Sequence, residues 1–244
     1  MALPRFYVDQ SLAIGLTFEL PEGVARHVQV VRMQPDDRVT LFNGKGGEYQ
    51  AQIIAMGKKT VTVQVLSFDE VNRESPLRIT LVQAVSASDR MDYTVQKAAE
   101  LGVAVLQPVT SQYCQQRYSG ERAEKRIAHW QGIAASAAEQ CGRTQLLEIR
   151  PIITFAQFIA AVDQDDSELK LLLCPTGAIH HSALPEQVNS VSVLIGPEGG
   201  YSPEEDAAAI AAGYTSLLLG PRIFRTETVA PVIASFLQAK YGDF

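Results

Sequence analysis

The chain has 244 residues, 46% of them apolar, which is ample for one large domain or two modest ones with a real core. No apolar run approaches the roughly 18 residues of a membrane span, and the opening MALPRFYVDQ lacks the apolar centre of a secretion signal, so the expected location is the cytoplasm. The net charge of −6 argues against a nucleic-acid partner until it is divided: residues 1–150 carry 17 basic and 16 acidic side chains, residues 151–244 only 4 and 11, so an RNA surface would belong mainly to the first part.

Residues 1–72 read as a small β-rich unit. Arg38 to Phe42, Glu48 to Ala55 and Thr60 to Leu66 have strand character, punctuated by Asn43-Gly44-Lys45-Gly46-Gly47 and Gly57-Lys58-Lys59. One short helix, Glu22 to Arg32, places Val24, Val28 and Val31 on a common face, and a half-open barrel is the natural arrangement. The polar stretch Asp69 to Pro76 reads as a linker, so the second domain takes residues 73–244.

From Leu77 strands and helices alternate, the pattern of a mostly parallel sheet in an α/β domain. Strand Leu77 to Val85, helix Asp89 to Leu101 and strand Val103 to Val109 make one βαβ unit. A long helix, Glu121 to Gln140, carries Trp130 in a core position, then alanines that suit the close approach of another helix. Helix Phe155 to Val162, strand Leu169 to Cys174, strand Val191 to Ile195, helix Pro203 to Ala212, strand Leu217 to Leu219 and a closing helix to about Tyr241 follow. Thr226 or Thr228 is the expected cap of that last helix, and Pro231 favours Thr228.

Three apolar strands stop at Cys174-Pro175, at Gly196-Pro197-Glu198-Gly199-Gly200 and at Gly220-Pro221. If they are neighbours, their loops line one pocket whose backbone groups can hydrogen-bond a nucleoside. A phosphate in the glycine loop would meet Glu198, Glu204 and Glu205, and neither a Walker lysine nor Gly-x-Gly-x-x-Gly spacing is present, which disfavours NAD and ATP. S-adenosylmethionine, a nucleoside with a cationic sulfonium, suits the loop better; a plain structural turn is the alternative. Arg222 and Arg225 either serve function or brace their loop against Glu227. Cys114, Cys141 and Cys174 have neither disulfide-framework nor zinc-site spacing, so no metal is expected.

GPEGG at Gly196 to Gly200 and LGPRIFRTET at Leu219 to Thr228, with PRFY at Pro4 to Tyr7, HVQVVRM at His27 to Met33, QKAAELGV at Gln96 to Val103 and AEQCGR at Ala138 to Arg143, closely resemble the 16S ribosomal RNA uridine-N3 methyltransferase family of the SPOUT superfamily. The resemblance implies an N-terminal PUA-like β-barrel, a C-terminal SPOUT α/β domain with a deep trefoil knot, a homodimer, and 16S ribosomal RNA in the small ribosomal subunit as substrate. It implies that S-adenosylmethionine is held by Leu173, Cys174, Ile195, Gly196, Gly200, Leu218, Leu219, Gly220, Ile223 and Thr226, largely through backbone groups.

Loss of the uracil N3 hydrogen leaves charge on the flanking carbonyl oxygens, and Arg225 is the candidate to meet it. Glu198 and Glu227 are the nearby carboxylates, neither assigned as base. For RNA capture the candidates are Arg5, Arg26 and Arg32 in the barrel and Arg143 beside the pocket, although Arg26 suits a solvated charge and Arg143 with Gln140 a brace at a helix end. His27 reads as a packed histidine. A sibling enzyme methylating a ribose 2′-hydroxyl or another base, and a non-catalytic RNA-binding or ribosome-assembly factor, are the alternatives.

Overall fold

The computed structural model describes residues 3–174 and 179–244. They cluster into two compact units, Met1–Glu74 with Ala135–Leu146, and Ser75–Ala134 with Leu147–Phe244.

The first unit contains β1 (Arg5–Tyr7), β2 (Thr17–Glu19), α1 (Glu22–Val30), β3 (Arg38–Phe42), β4 (Glu48–Met56) and β5 (Val61–Asp69). Its sheet runs β1-β3-β4-β5-β2, antiparallel except where β1 lies beside β3. Alternation builds the core: β5 buries Val61, Val63 and Val65 and turns the residues between them outward. Register shifts at Gln50/Ala51 and Ile53/Ala55 bend β4 and curl the sheet. β1 and β2 are too short to carry a periodic signal, and they lie outside the predicted strands.

Helix α1 departs from expectation. It stops at Val30, buries Ala25 and Val28, and leaves Val31 45% exposed. The chain turns at Arg32, whose φ of 62° lies in the left-handed region, and the Met33 N–H donates to the Val28 carbonyl at 3.3 Å. Met33 therefore returns to the core in place of Val31. His27 packs edge-on against Phe6 at 5.1 Å but has a 51% exposed side chain, so it is only partly the packed residue expected.

The second unit contains β6 (Arg78–Ala84), α2 (Ser88–Glu100), β7 (Val105–Thr110), most of α3 (Gly120–Cys141), β8 (Glu148–Ile149), β9 (Ile153–Thr154), α4 (Phe155–Ala160), β10 (Leu169–Leu173), β11 (Ile179–His180), β12 (Ser190–Ile195), α5 (Pro203–Ala211), β13 (Thr215–Leu218) and α6 (Thr226–Tyr241). The strands pair in parallel in the order β11-β13-β10-β12-β6-β7-β8, with β9 also on β7. Central β12 is buried at every residue after Ser190, as an apolar strand covered on both faces must be.

Trp130 is buried and its indole N–H donates to Asp92 at 3.1 Å, a core role. Ala134, Ala137 and Ala138 in the alanine-rich stretch before Cys141 are buried, while Gly132, Ser136 and Gln140 on the same helix are exposed. The cap of α6 also differs: Arg225 is the N-cap residue and makes no side-chain cap bond, while Pro231 lies inside the helix. The Thr226 hydroxyl is unavailable for capping because it is bonded elsewhere. Proline at this early position removes one rung, the bond to the Glu227 carbonyl.

Ser202 and Glu205 form a capping box at the start of α5, with the Ser202 hydroxyl accepting from the Glu205 N–H at 3.2 Å. Ser202→Ala removes that acceptor and should lower unfolding free energy by about 1 kcal/mol, seen as a lower urea midpoint at unchanged slope.

Candidate functional site

β13, β10 and β12 are adjacent and parallel, with Leu172 opposite both Ser216 and Leu194, so their carboxyl ends lie level. The segments leaving these ends bound a cavity of about 590 Å³. Its lining includes Leu173 and Cys174 after β10, Ile195, Gly196 and Gly200 after β12, and Leu218, Leu219, Gly220, Ile223 and Thr226 around β13 and its exit. Every residue that the sequence assigned to a cofactor is thus brought to one cavity, together with Arg225. The remainder of the Cys174-Pro175 loop, 175–178, lies outside the described residues.

Tight local geometry explains the glycine loop. A side chain at Gly196 would lie 3.1 Å from the Gly200 Cα, and Gly200 itself has φ of 72°, so the loop folds back on its own backbone. The Gly200 N–H closes the turn on the Pro197 carbonyl at 2.9 Å. Across the cavity, the Thr226 hydroxyl donates to the Gly196 carbonyl at 2.7 Å and accepts from the Gln83 amide at 3.0 Å. One buried threonine thereby joins the loop after β12, the end of β6 and the start of α6.

The electrostatics were only partly legible. Glu198 does not stand free: its Oε1 accepts from the Ala87 N–H at 3.0 Å and from Arg90 Nη1 at 2.8 Å. Burial alone would raise the Glu198 carboxyl, but the Ala87 N–H, its own backbone N–H and Arg90 outweigh that effect and hold it below the ordinary carboxylate range. Arg90 Nε also lies 3.8 Å from Glu227, so Glu227 faces Arg90 and does not brace Arg222 or Arg225. Those two arginines line the cavity, are exposed, and have no ion-pair partner among the described residues. Glu204 and Glu205 are not on the cavity lining, and Glu205 accepts from the Gln112 N–H at 2.8 Å.

Arg90 was missed. It stands in the first turn of α2, where a cation opposes the helix dipole at a cost of about 0.5 kcal/mol, and its neighbours Ser88 and Asp89 read simply as a helix start. The available signal was that mismatch between residue and position.

The RNA candidates separate into two kinds. Arg5 pairs with Glu48 at 3.1 Å and donates to the Ala138 and Arg143 carbonyls, and Arg143 is buried against Glu74 at 2.7 Å. Both side chains are engaged within the first unit, Arg5 with Glu48 and Arg143 with Glu74. Arg26 and Arg32 are exposed, with no ion pair among the described residues.

Residues 73–238 match the family described as RNA methyltransferase domain, and residues 20–66 the RNA methyltransferase PUA domain. A Buchnera aphidicola protein named ribosomal RNA small subunit methyltransferase E is 32% identical over 242 residues, covering 99% of this chain and 98% of the relative. The chain belongs to the ribosomal RNA small subunit methyltransferase E family. Two solved structures match it over 100% of both chains: a Neisseria gonorrhoeae ribosomal RNA small subunit methyltransferase E bound to S-adenosyl methionine, at 38% identity and TM-score 0.91, and a Legionella pneumophila methyltransferase with bound SAM, at 40% and 0.95. In the terms of the methyltransferase E family, the N-terminal sheet carries the PUA domain and the parallel sheet is the SPOUT α/β domain.

Thr226→Val keeps the shape of the side chain but strands the Gly196 carbonyl and the Gln83 amide, and should lower stability by about 2 kcal/mol in denaturant titrations. Arg32→Gly should instead raise stability by up to about 1 kcal/mol, because glycine adopts positive φ without strain; calorimetry reads the shift.

Proposed function

We propose that this protein transfers the methyl group of S-adenosylmethionine to N3 of a uridine in the 16S RNA of the small ribosomal subunit. The observation that carries this reading is the cavity at the level ends of β10, β12 and β13, in a chain alike from end to end to a ribosomal RNA small subunit methyltransferase E that holds S-adenosyl methionine.

The lining fits that cofactor. Leu218, Ile223 and Val229 offer an apolar wall for an adenine. Unpaired Arg222 suits the carboxylate of that cofactor. When bound, the cofactor supplies an electrophilic methyl group; the chain must orient uracil and favour loss of its N3 proton.

Arg225 is assigned the second task. A guanidinium carries its charge at any working pH and donates to carbonyl oxygens as negative charge grows on them. Glu198 is a poor proton acceptor, since it is already committed to Ala87 and Arg90. Orientation of N3 toward the methyl group supplies much of the remaining acceleration.

Residues 1–72 are taken as the RNA-binding domain and 73–244 as the methyltransferase domain, a division supported by the separate family matches. Arg26 and Arg32 are the phosphate contacts we assign to the first domain, and Arg32→Gly should weaken binding to subunits with a shallower salt dependence while leaving the fold intact. The trefoil threading is assigned from membership of the methyltransferase E family. A homodimer is supported by exposed Val232 and Phe244 on and after α6. A ribosomal substrate implies action in the cytoplasm, and no helix of the described residues is long and apolar enough to cross a membrane.

The test is transfer of labelled methyl to undermethylated small subunits, followed by digestion and identification of the labelled nucleoside. N3-methyluridine is expected; a 2′-O-methylated or other nucleoside would overturn the substrate, and cofactor binding without any transfer would favour a non-catalytic RNA-binding role. Arg225→Ala should retain cofactor binding in calorimetry and reduce the transfer rate by about 100-fold.

A further inference from the structure

Arg90 connects three segments through one side chain. It belongs to the first turn of α2, its Nη1 donates to Glu198 at 2.8 Å in the loop after β12, and its Nε lies 3.8 Å from Glu227 in the first turn of α6. Glu198 in turn accepts the N–H of Ala87, the N-cap residue of α2, which has no side-chain cap. The second oxygens of Glu198 and Glu227 are both buried without a hydrogen-bond partner, so the orientation of each carboxylate rests on few contacts, of which Arg90 is the shared one. Arg90 itself lines the cavity, but two carboxylates offset its charge, unlike Arg222 and Arg225.

We propose that Arg90 is a positioning residue for methyl transfer: it fixes the loop after β12, which forms one wall of the cofactor cavity, relative to the start of α6, whose N-cap residue is Arg225. This rests on the reading of the cavity as a methyltransferase site. A charge already matched on two sides is badly suited to meeting new charge on a substrate, and well suited to holding two acidic anchors at a set distance. Lysine, a point charge without the planar fork, restores the attraction but not the geometry.

The experiment compares Arg90→Ala and Arg90→Lys with the unsubstituted protein in four readouts: thermal unfolding, cofactor affinity by calorimetry, kcat and KM on small subunits, and amide hydrogen exchange. Arg90→Ala should stay folded, bind cofactor within about 3-fold, and lose about 10- to 100-fold in kcat, as small misplacements of reacting groups do. Arg90→Lys should recover part of that loss. Exchange should quicken in two places, at 198–200 and in the first turn of α6, and remain unchanged in β6 and β12. The proposal is overturned by an unchanged kcat, by a cofactor affinity that falls in step with kcat, or by exchange unchanged in either segment. If the unsubstituted protein transfers no methyl group, the functional reading fails, and the exchange result still decides whether Arg90 positions the two segments.

Discussion

The second unit depends on a polar junction set in an apolar sheet. Thr226 gives its proton to the Gly196 carbonyl and receives one from Gln83, whose amide also reaches the Ala84 carbonyl at 2.9 Å. Buried polar groups tolerate few alternatives, because any arrangement that breaks these bonds leaves donors and acceptors dry. The junction therefore fixes where the last helix begins, and with it the placement of Arg225 and Glu227. Parallel pairing does the rest: the register of β13, β10 and β12 brings three loops to one level without any loop having to encode its own position.

The charge pattern of the cavity follows from this frame. Three arginines line it, but they are not equivalent, since Arg90 is matched by Glu198 and Glu227 whereas Arg222 and Arg225 face the opening unmatched. The unmatched pair leaves the lining with positive charge to offer an anionic part of a ligand. That division is invisible to a net charge count, which registers only an acidic C-terminal part.

Much of the parallel sheet was legible because buried strands read as unbroken apolar runs, and each run that lines the cavity ends at glycine or proline. The cap of α5 was legible because Ser202, Pro203 and Glu205 act within one turn. Interactions between distant positions were not. Arg5 finds Glu48 and the Ala138 carbonyl, partners that no local window contains, so its bracing role could not be separated from an exposed one. Neither Thr226 nor the favoured Thr228 is the cap of the last helix, and the Thr226 hydroxyl answers to Gly196, thirty residues away in the chain, and not to its own helix. The family resemblance located the cavity residues, but Arg90 lies outside the quoted motifs, and its place in a helix's first turn suggested nothing about a pocket.

Pro231 gives α6 a mechanical property that its length conceals. The missing rung at Glu227 lowers the bending stiffness between the first turn, 226–229, and the remainder of the 16-residue helix, 230–241. Compliance at that point lets the leading turn seat itself on the sheet's polar junction while the body of the helix keeps its own packing against α2. The two halves of α6 thus answer to different masters, and a strain arising in one need not be transmitted to the other.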